Sequence, residues 1–403
     1  MKRLTSFLFV AFAASVAFAQ GQIIKVDVTG ISKQSLSMDG ATGTGSAGQL
    51  YLTVLRNDLL RSGWYNLKPN GQVQVTGNVT GSADAASSLM VAWTGKRFAW
   101  TRTATEAAIR RQAHELADAI VGATTGEKGF AQSHFALVRR GGKTRDGQNA
   151  DDLFVCDYDG HNLRRLTSDG AAIVGPRWAP DGKSVYFTSY KLGFPAVFRA
   201  DLQGRVVRLA NFRGLNTGAV PSPTNANQLA IILSHQGNPE LYVMNATTQG
   251  LTRLTSTKFA AEASPCWSPD GRRICYVSDV AGSPQLYIVD VATKQSRRLT
   301  LQGGENVQPD WGKNGIVFAT KRRAPYRIAT INPDVGEKSV RLLTPLNDQY
   351  ESPSWAADGR HVVASRAQGG SSSIWVIDAA EKGDAPYQVF SGSGLWLNPA
   401  WSK

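Results

Sequence analysis

A short pattern that reads Trp-Ser-Pro-Asp-Gly at Trp267 recurs along the last two-thirds of the chain. Its copies share a bulky residue followed by a turn, and they begin at Trp178, Pro221, Trp267, Trp311, Trp355 and Trp401. The intervals between them are 43, 46, 44, 44 and 46 residues. A fixed period of this length, with several strands in each unit, is typical of the blades of a β-propeller.

Each repeat unit has room for four strands. In the unit around Trp267, one strand leads into the turn and an alternating strand, Arg273–Ser278, follows it. Another strand ends at Asp290, and the last short strand, Arg298–Thr300, reads Arg-Leu-Thr. Four strands make one blade. Because Pro, Asp and Gly in this order favour a type I turn, we interpret the pattern as a fold element and expect the tryptophan to pack between blades.

The two ends of the repeat region complement each other. The final copy, at Trp401, has no strand after it, whereas the strand Phe135–Arg140 has no such turn before it. We therefore predict that the end of the chain completes the blade that its beginning started. The expected fold is an all-β, six-bladed β-propeller over residues 131–403.

Residues 20–130 have a different pattern. Apolar stripes of helical period in Gln49–Arg61 and Glu106–Val121 predict two helices, and alternating runs around them predict strands. We expect a small α/β domain ahead of the propeller.

Residues 1–19 have the features of a secretory signal. Lys2 and Arg3 precede the apolar run Phe7–Phe18, and Ala17 and Ala19 fit an Ala-x-Ala cleavage site. We expect cleavage after Ala19 and an exported protein. The apolar run is too short to span a bilayer, and no later run is long enough either.

The chain is basic. Its formal net charge of +13 falls to +11 when the two cations Lys2 and Arg3 are removed. A basic surface attracts nucleic acid, anionic lipid or acidic partners. Export argues against nucleic acid, and the lysines and arginines form no dense block, so we expect most of this charge to lie on solvated surface.

The three cysteines, Cys156, Cys266 and Cys275, leave at least one unpaired in any intramolecular disulfide scheme. Cys266 and Cys275 flank one predicted hairpin, which would allow them to pair. The alternative, which the odd count favours, is three small buried hydrophobic residues.

Two short motifs resemble sites of enzymes. Gly43–Gly48 fits Gly-x-Gly-x-x-Gly, but no predicted strand directly precedes it, so we expect a flexible loop. His114–Asp118 has Asp118 where a zinc-binding motif has its second histidine, so we expect a solvated helix face. The histidines do not cluster and there is no nucleophile elbow. We expect no catalytic residues, no cofactor and no metal site. One alternative is kept: a ring of carboxylates at the propeller axis that binds a cation.

Outside the repeat, three segments carry a family resemblance: Arg56–Gly63, Arg110–Ile120 and Thr125–Phe130. With a signal, a small α/β domain and six repeat units in that order, they resemble the TolB family, the periplasmic component of the Tol-Pal system. The resemblance covers nearly the whole mature chain. It implies TolB-like or WD40-like repeats and a monomeric periplasmic adaptor without catalysis.

The resemblance also implies partners. In this family the propeller mouth binds the peptidoglycan-associated lipoprotein Pal, the N-terminus of the mature chain binds the inner-membrane protein TolA, and other outer-membrane lipoproteins are further candidates. The system maintains the outer membrane and constricts it at division. The residues implied in TolA binding are Gln20, Gly21, Gln22, Ile23, Ile24 and Lys25.

The loops that enter the innermost strands of a propeller face one end of its axial channel, and binding sites concentrate on such loops. The candidates for mouth contacts are Asn216, Glu262, Ser264, Asn306, Gln308, Glu351 and Asn398. Two departures from the family pattern bear on the partners: Lys33–Met38 stands in place of an apolar strand, and Leu215 stands in place of a histidine. The alternative interpretation is an exported propeller enzyme or carbohydrate-binding protein that uses the axial channel.

Overall fold

The computed structural model describes residues 33–80, 86–93, 96–103, 105–143, 147, 149–322, 325–380, 383–390 and 394–403. The predicted signal and the candidate residues Gln20–Lys25 lie outside these described residues. Within them, none of the helices combines the length and the apolar character that crossing a membrane requires.

The N-terminal unit is a five-stranded sheet with two helices. Its elements are β1 (Gln34–Thr44), α1 (Gly45–Arg61), β2 (Tyr65–Leu67), β3 (Val73–Thr80), β4 (Ala86–Trp93), β5 (Lys96–Thr103) and α2 (Glu106–Thr125). The strand order is β2-β1-β3-β4-β5; β1 runs parallel to β2 and β3, and β3, β4 and β5 are antiparallel. Both predicted helices are present, and each is about one turn longer than the apolar pattern indicated.

The glycine-rich segment Gly43–Gly48 is not a flexible loop, and that prediction was wrong. β1 continues to Thr44 and α1 begins at the next residue. A Cβ atom on Gly43 would lie 2.6 Å from the carbonyl oxygen of Gly48, and one on Gly48 would lie 2.4 Å from that of Val79. The glycines therefore allow α1 to pack directly against the sheet. Because glycines have no side chains, this part of β1 lacks the alternating hydrophobic pattern from which a strand is predicted.

The second unit is a β-propeller built from four separate four-stranded sheets and one eight-stranded sheet. In chain order, the separate sheets contain β9–β12 (Ile173–Trp178, Ser184–Ser189, Ala196–Asp201, Val206–Ala210), β13–β16 (Asn216–Pro221, Gln228–Leu233, Glu240–Asn245, Leu251–Arg253), β17–β20 (Glu262–Trp267, Arg273–Ser278, Gln285–Asp290, Ser296–Arg298) and β21–β24 (Glu305–Gly312, Gly315–Lys321, Arg327–Ile331, Arg341–Leu342). The eight-stranded sheet contains β25–β28 (Gln349–Trp355, His361–Gln368, Ser371–Asp378, Tyr387–Phe390), β29 (Leu395–Trp401) and β6–β8 (His134–Lys143, Asn149–Asp157, Arg164–Arg165). A short 3-10 helix, Gly336–Ser339, precedes β24.

The inner strands form a closed ring within the described residues. β9, β13, β17, β21, β25 and β29 each contact the next, and β29 contacts β9. β29 also pairs with β6, with Trp401 opposite Phe135, so the predicted seam between the end of the chain and the start of the repeat region is present. In the eight-stranded sheet a single parallel pair, Ser372 with Leu395, joins β27 to β29. The prediction of a β-propeller behind a small helix-containing unit is confirmed.

The repeated tryptophans join neighbouring sheets. Nε1 of Trp178 donates a 3.1 Å hydrogen bond to the carbonyl oxygen of Ala400, and Nε1 of Trp267 donates a 3.0 Å bond to that of Val220. Each acceptor lies on the inner strand of the preceding sheet in the ring. The tryptophans therefore pack between blades, as the sequence predicted.

The two units share one hydrophobic core. Leu55 and Ile109 of the helices belong to the same buried cluster as Trp401 of the propeller. The ring of Phe130 lies between the units and contacts the rings of His361 and Trp401 at centroid distances of 4.5 and 5.4 Å. These contacts lie where the inner strands end. The N-terminal unit therefore packs at that end of the propeller, and we call the opposite end, where the inner strands begin, the mouth.

Candidate functional site

Every inner strand has a bulge at the same position, where its register against the second strand shifts. At each bulge one residue has a left-handed backbone with φ between 47° and 65°: Gly175, Gly218, Ser264, Gln308, Ser352 and Asn398. Their spacing is 43, 46, 44, 44 and 46 residues, the same as that of the tryptophan repeat. Such a backbone costs a non-glycine residue about 1–3 kcal/mol and concentrates at functional sites. This ring of bulges is the first part of the candidate site.

Hydrogen bonds connect the bulges of three neighbouring inner strands. The backbone N–H of Ser352 donates a 2.8 Å bond to Oε1 of Gln308, and its Oγ donates a 2.9 Å bond to Oδ1 of Asn398. The sequence had named Gln308, Asn398 and Glu351, but not Ser352. The available signal was a proline after the bulge residue, which follows at five of the six positions.

Three of the predicted mouth residues lie behind the surface. Asn216, Glu262 and Asn306 are at most 2% exposed. The amide of Asn216 bonds the backbone of Phe212 and Gly214, and that of Asn306 bonds Gln285 and Gln302. These side chains brace the loops that enter the inner strands. Their part in partner binding stays a prediction. In that prediction they would position the loops of the mouth rather than touch the partner.

Glu262 combines burial with incomplete hydrogen bonding. Oε1 accepts a 3.2 Å bond from Oγ of Ser278, whereas no donor among the described residues lies in hydrogen-bond geometry to Oε2. Burial, together with the charge of Glu240, raises the pKa of Glu262 from 4.5 to about 7. The carboxyl group therefore changes its charge near neutral pH, directly behind the mouth.

Glu262→Gln should stabilise the protein at pH 8 by roughly 1–3 kcal/mol, because each unit of a pKa shift corresponds to about 1.4 kcal/mol. The folded state binds the proton more tightly than the unfolded state. The penalty of ionisation therefore grows between pH 4.5 and about 7 and is constant above that range. Urea unfolding of the wild type and of Glu262→Gln at pH 4, 6 and 8 measures the difference in stability between the two proteins. An equal difference at all three pH values would contradict the assignment.

Exposed apolar side chains surround the mouth, and the sequence analysis missed them. The loops at this end carry Tyr190, Leu192, Phe194, Phe259, Val280, Leu301 and Leu346, which are between 40% and 86% exposed. The register places these loops at the mouth; for example, Val280 follows Ser278, which pairs with Glu262 at the start of β17. Their spacing follows no helix or strand period, so a pattern search does not separate them from other loop residues.

A groove of about 510 Å³ opens among the same loops. Leu342 and Leu346 line it together with Arg322, Arg327 and Thr320. Nε and Nη2 of Arg327 both donate to the carbonyl oxygen of Thr344, which fixes its guanidinium in the wall. The mouth therefore offers apolar surface beside cationic groups.

A buried polar cluster lies at the other end, between the two units. His114 is 3% exposed, so the prediction of a solvated helix face was wrong. Its Nδ1 lies 2.7 Å from Oδ2 of Asp58 on α1, and Oδ1 of Asp58 accepts a hydrogen bond from the hydroxyl group of Tyr158. Nη2 of Arg110 lies 2.5 Å from Oδ2 of Asp159. The partners are 49 to 100 residues apart in the chain, which is why the sequence concealed them.

Ligand atoms of His114, Asp157 and Asp159 lie within 4.8 Å of one another, a spacing that a metal ion can use. In this structure Asp159 is engaged by Arg110, and His114 by Asp58. Burial by itself lowers the pKa of His114, but the hydrogen bond and charge of Asp58 and the charges of Asp159 and Asp157 outweigh it and raise the pKa. The arrangement holds the two units together through paired charges.

Fold and site together define a β-propeller with a small N-terminal helical part. The N-terminal unit packs against one end of the propeller, and the mouth lies open at the other end. Residues 121–403 match the family described as TolB beta propeller domain. The chain belongs to this family.

The chain is similar to a curated protein and to solved structures. The Tol-Pal system protein TolB of Francisella tularensis subsp. tularensis is 28% identical over 310 residues, which are 73% of this chain and 69% of that protein. The crystal structure of TolB from Acinetobacter baumannii superposes with a TM-score of 0.75 at 24% identity and covers 92% of this chain and 97% of that one. A chain of the nidogen/laminin complex, at 12% identity, shares the fold with a TM-score of 0.53 over 67% of this chain and 98% of its own.

Proposed function

We propose that this protein is a non-catalytic periplasmic adaptor of the Tol-Pal system. In this proposal its mouth binds Pal, residues 20–25 bind TolA, and the complex supports outer-membrane integrity and constriction at division. Membership of the TolB family and the similarity to the Francisella Tol-Pal protein support the proposal. The proposed domains are a signal at 1–19, an N-terminal domain at 20–130 and the propeller at 131–403.

The observation that carries the proposal is the apolar surface of the mouth. Phe259 is 86% exposed, and Leu301, Leu346 and Val280 are 63%, 58% and 56% exposed. Exposed apolar side chains gathered at one end of a protein favour protein interaction there, and large side chains that become buried at an interface contribute much of the binding energy. The surrounding lysines and arginines, such as Lys258 and Arg322, suit a partner with acidic groups at its rim.

We also propose that the propeller has six blades. The closed ring of six inner strands and the six bulges at one spacing support this count. The eight-stranded sheet would then contain two blades, β25–β28 and β29 with β6–β8, because within the described residues a single register pair, Ser372 with Leu395, joins the strands of the two groups.

The alternative, an enzyme or carbohydrate-binding protein that uses the axial channel, needs polar groups that face the channel. Glu240 and Glu262, two carboxylates beside the start of β17, are 1% and 2% exposed. Glu240 is engaged by Arg253 and Thr255 of its own blade. This burial favours the adaptor.

Phe259→Ala and Leu301→Ala should each weaken Pal binding about tenfold or more, since anchor residues contribute more than 1.4 kcal/mol each. The measurement is calorimetry of residues 20–403 against the soluble domain of Pal from the same organism. Val335→Ala is the matched control, because Val335 is 55% exposed but follows β23 at the end opposite the mouth. Equal affinity of all four proteins would contradict the site, and no binding by the folded wild type would contradict the partner.

A further inference from the structure

The side chains of Cys266 and Cys275 face each other across two strands of one blade. Cys266 on β17 is the direct register partner of Cys275 on β18. Opposed residues in antiparallel strands have Cα atoms about 4.5–5.5 Å apart, which lies within the range of about 4.4–6.8 Å that disulfides adopt. The strand pairing therefore places the two residues at a separation that an S–S bond can span.

We propose that Cys266 and Cys275 form a disulfide in the mature protein. This inference rests on the proposed export, because a periplasmic protein meets thiol oxidases and a cytosolic one does not. It concerns a modification that neither the family fold nor the adaptor role requires.

The reaction exchanges one disulfide for another. The thiolate of one cysteine attacks the disulfide of an oxidase or of oxidised glutathione and forms a mixed disulfide. The second thiolate displaces the bound thiol and completes the Cys266–Cys275 bond. The protein loses two protons and two electrons, and the oxidant leaves as two thiols.

Burial determines when the reaction occurs. Cys266 and Cys275 are 2% and 0% exposed, and both lie in an apolar cluster with Trp311. Burial and the neighbouring Cys266 raise the pKa of the Cys275 thiol, so in the folded protein it is a poor nucleophile. The bond should form while the β17–β18 hairpin is still exposed during folding, and the finished blade should then shield it from reductants.

The bond would fix one bulge of the mouth ring. The register shift at Ser264 and Pro265 ends at Cys266. Gln308, Ser352 and Asn398 are tied to one another by hydrogen bonds, and the disulfide would hold the equivalent bulge at Ser264 covalently.

Cys156 provides an internal control. It lies on β7, opposite Phe135 of β6, in a different sheet from the other two cysteines. The other two of the chain's three cysteines pair with each other, so the proposal leaves Cys156 as a thiol.

The test counts thiols by mass. Protein purified from the periplasm of the producing cells, and protein refolded from the reduced chain in a glutathione redox buffer, are quenched with acid, denatured and alkylated with a maleimide. We expect one adduct without reductant and three with it. The Cys156→Ala variant should give no adduct without reductant and two adducts with it. The Cys266→Ala variant should give two adducts in both conditions. Three adducts on the unreduced wild type after refolding, or a glutathione adduct on Cys266 or Cys275, would overturn the proposal.

The outcome is independent of the adaptor role. The refolded sample reports on the disulfide even if the protein is not exported, and the periplasmic sample reports on export even if no disulfide forms. Pal binding is measured separately.

Discussion

Trp401→Ala should lower the free energy of unfolding by about 3–5 kcal/mol, the cost of emptying a buried aromatic site. Trp401 is 2% exposed, and its ring contacts Phe130 and Phe135 at 5.4 and 4.8 Å. Its Nε1 donates a 2.5 Å hydrogen bond to Oγ of Ser133. The side chain therefore joins the last strand of the chain to the first strand of the propeller and to the link from α2.

Trp375→Ala is the matched control. Trp375 is half-buried on β27, inside one blade rather than at the seam. We expect it to cost about 1 kcal/mol, near the average for a point substitution. Urea unfolding followed by tryptophan fluorescence and circular dichroism measures both. If the two variants lost equal stability, the closure of the ring through β29 would not be the source of the effect.

Asp58→Ala should cost about 3–5 kcal/mol, because removing one partner from a buried, hydrogen-bonded charge network is strongly destabilising. Asp58 is 3% exposed and accepts hydrogen bonds from Tyr158 and from Nδ1 of His114. The lost contacts link α1 to α2 through His114 and α1 to the propeller through Tyr158. We therefore also expect calorimetric unfolding to separate into two transitions, with the N-terminal unit unfolding first.

Glu106→Ala is the control for Asp58→Ala. Glu106 faces Arg110 at 3.8 Å, but its side chain is 65% exposed. Exposed pairs contribute about 0–1 kcal/mol, so the change should be small and unfolding should stay a single transition. A large loss in Glu106→Ala, or a small one in Asp58→Ala, would contradict the buried network.

The same network should depend on pH through His114. Asp58 and Asp159 raise the pKa of His114 against the effect of burial. The stability from the charged ring is therefore fully present below about pH 6.5, the unfolded value, and is lost as the pH rises through the folded value. The stability difference between wild type and His114→Gln should shrink from pH 6 to pH 9. A constant difference would show that His114 acts without its charge.

Local and periodic features were predictable from the sequence. The spacing of 43 to 46 residues defined the propeller, and the missing strand after Trp401 defined its seam. Both succeed because each blade repeats the same hydrogen-bonded pattern at a fixed interval. The sequence placed Ser264, Gln308 and Asn398 on loops that enter the inner strands, whereas the structure places them within those strands; their part in partner binding stays a prediction.

Contacts between distant segments were not predictable. The bond between Asp58 and Tyr158 joins residues 100 positions apart, and no local period reports it. Burial of Asn216 and Glu262 depends on how loops fold back over the inner strands. Phe259 in a polar loop gives no sequence signal, because exposure is a property of the finished surface.

Photo-crosslinking in cells tests the central claim, that the mouth is the binding surface for Pal, most directly. A photoreactive amino acid at Leu301 lies on the mouth, and the same amino acid at Val335 lies at the opposite end of the propeller. We predict a crosslink to Pal from position 301 and none from position 335. A crosslink to Pal from position 335 alone would contradict the claim. So would the absence of a crosslink from both positions when both variants are folded and exported.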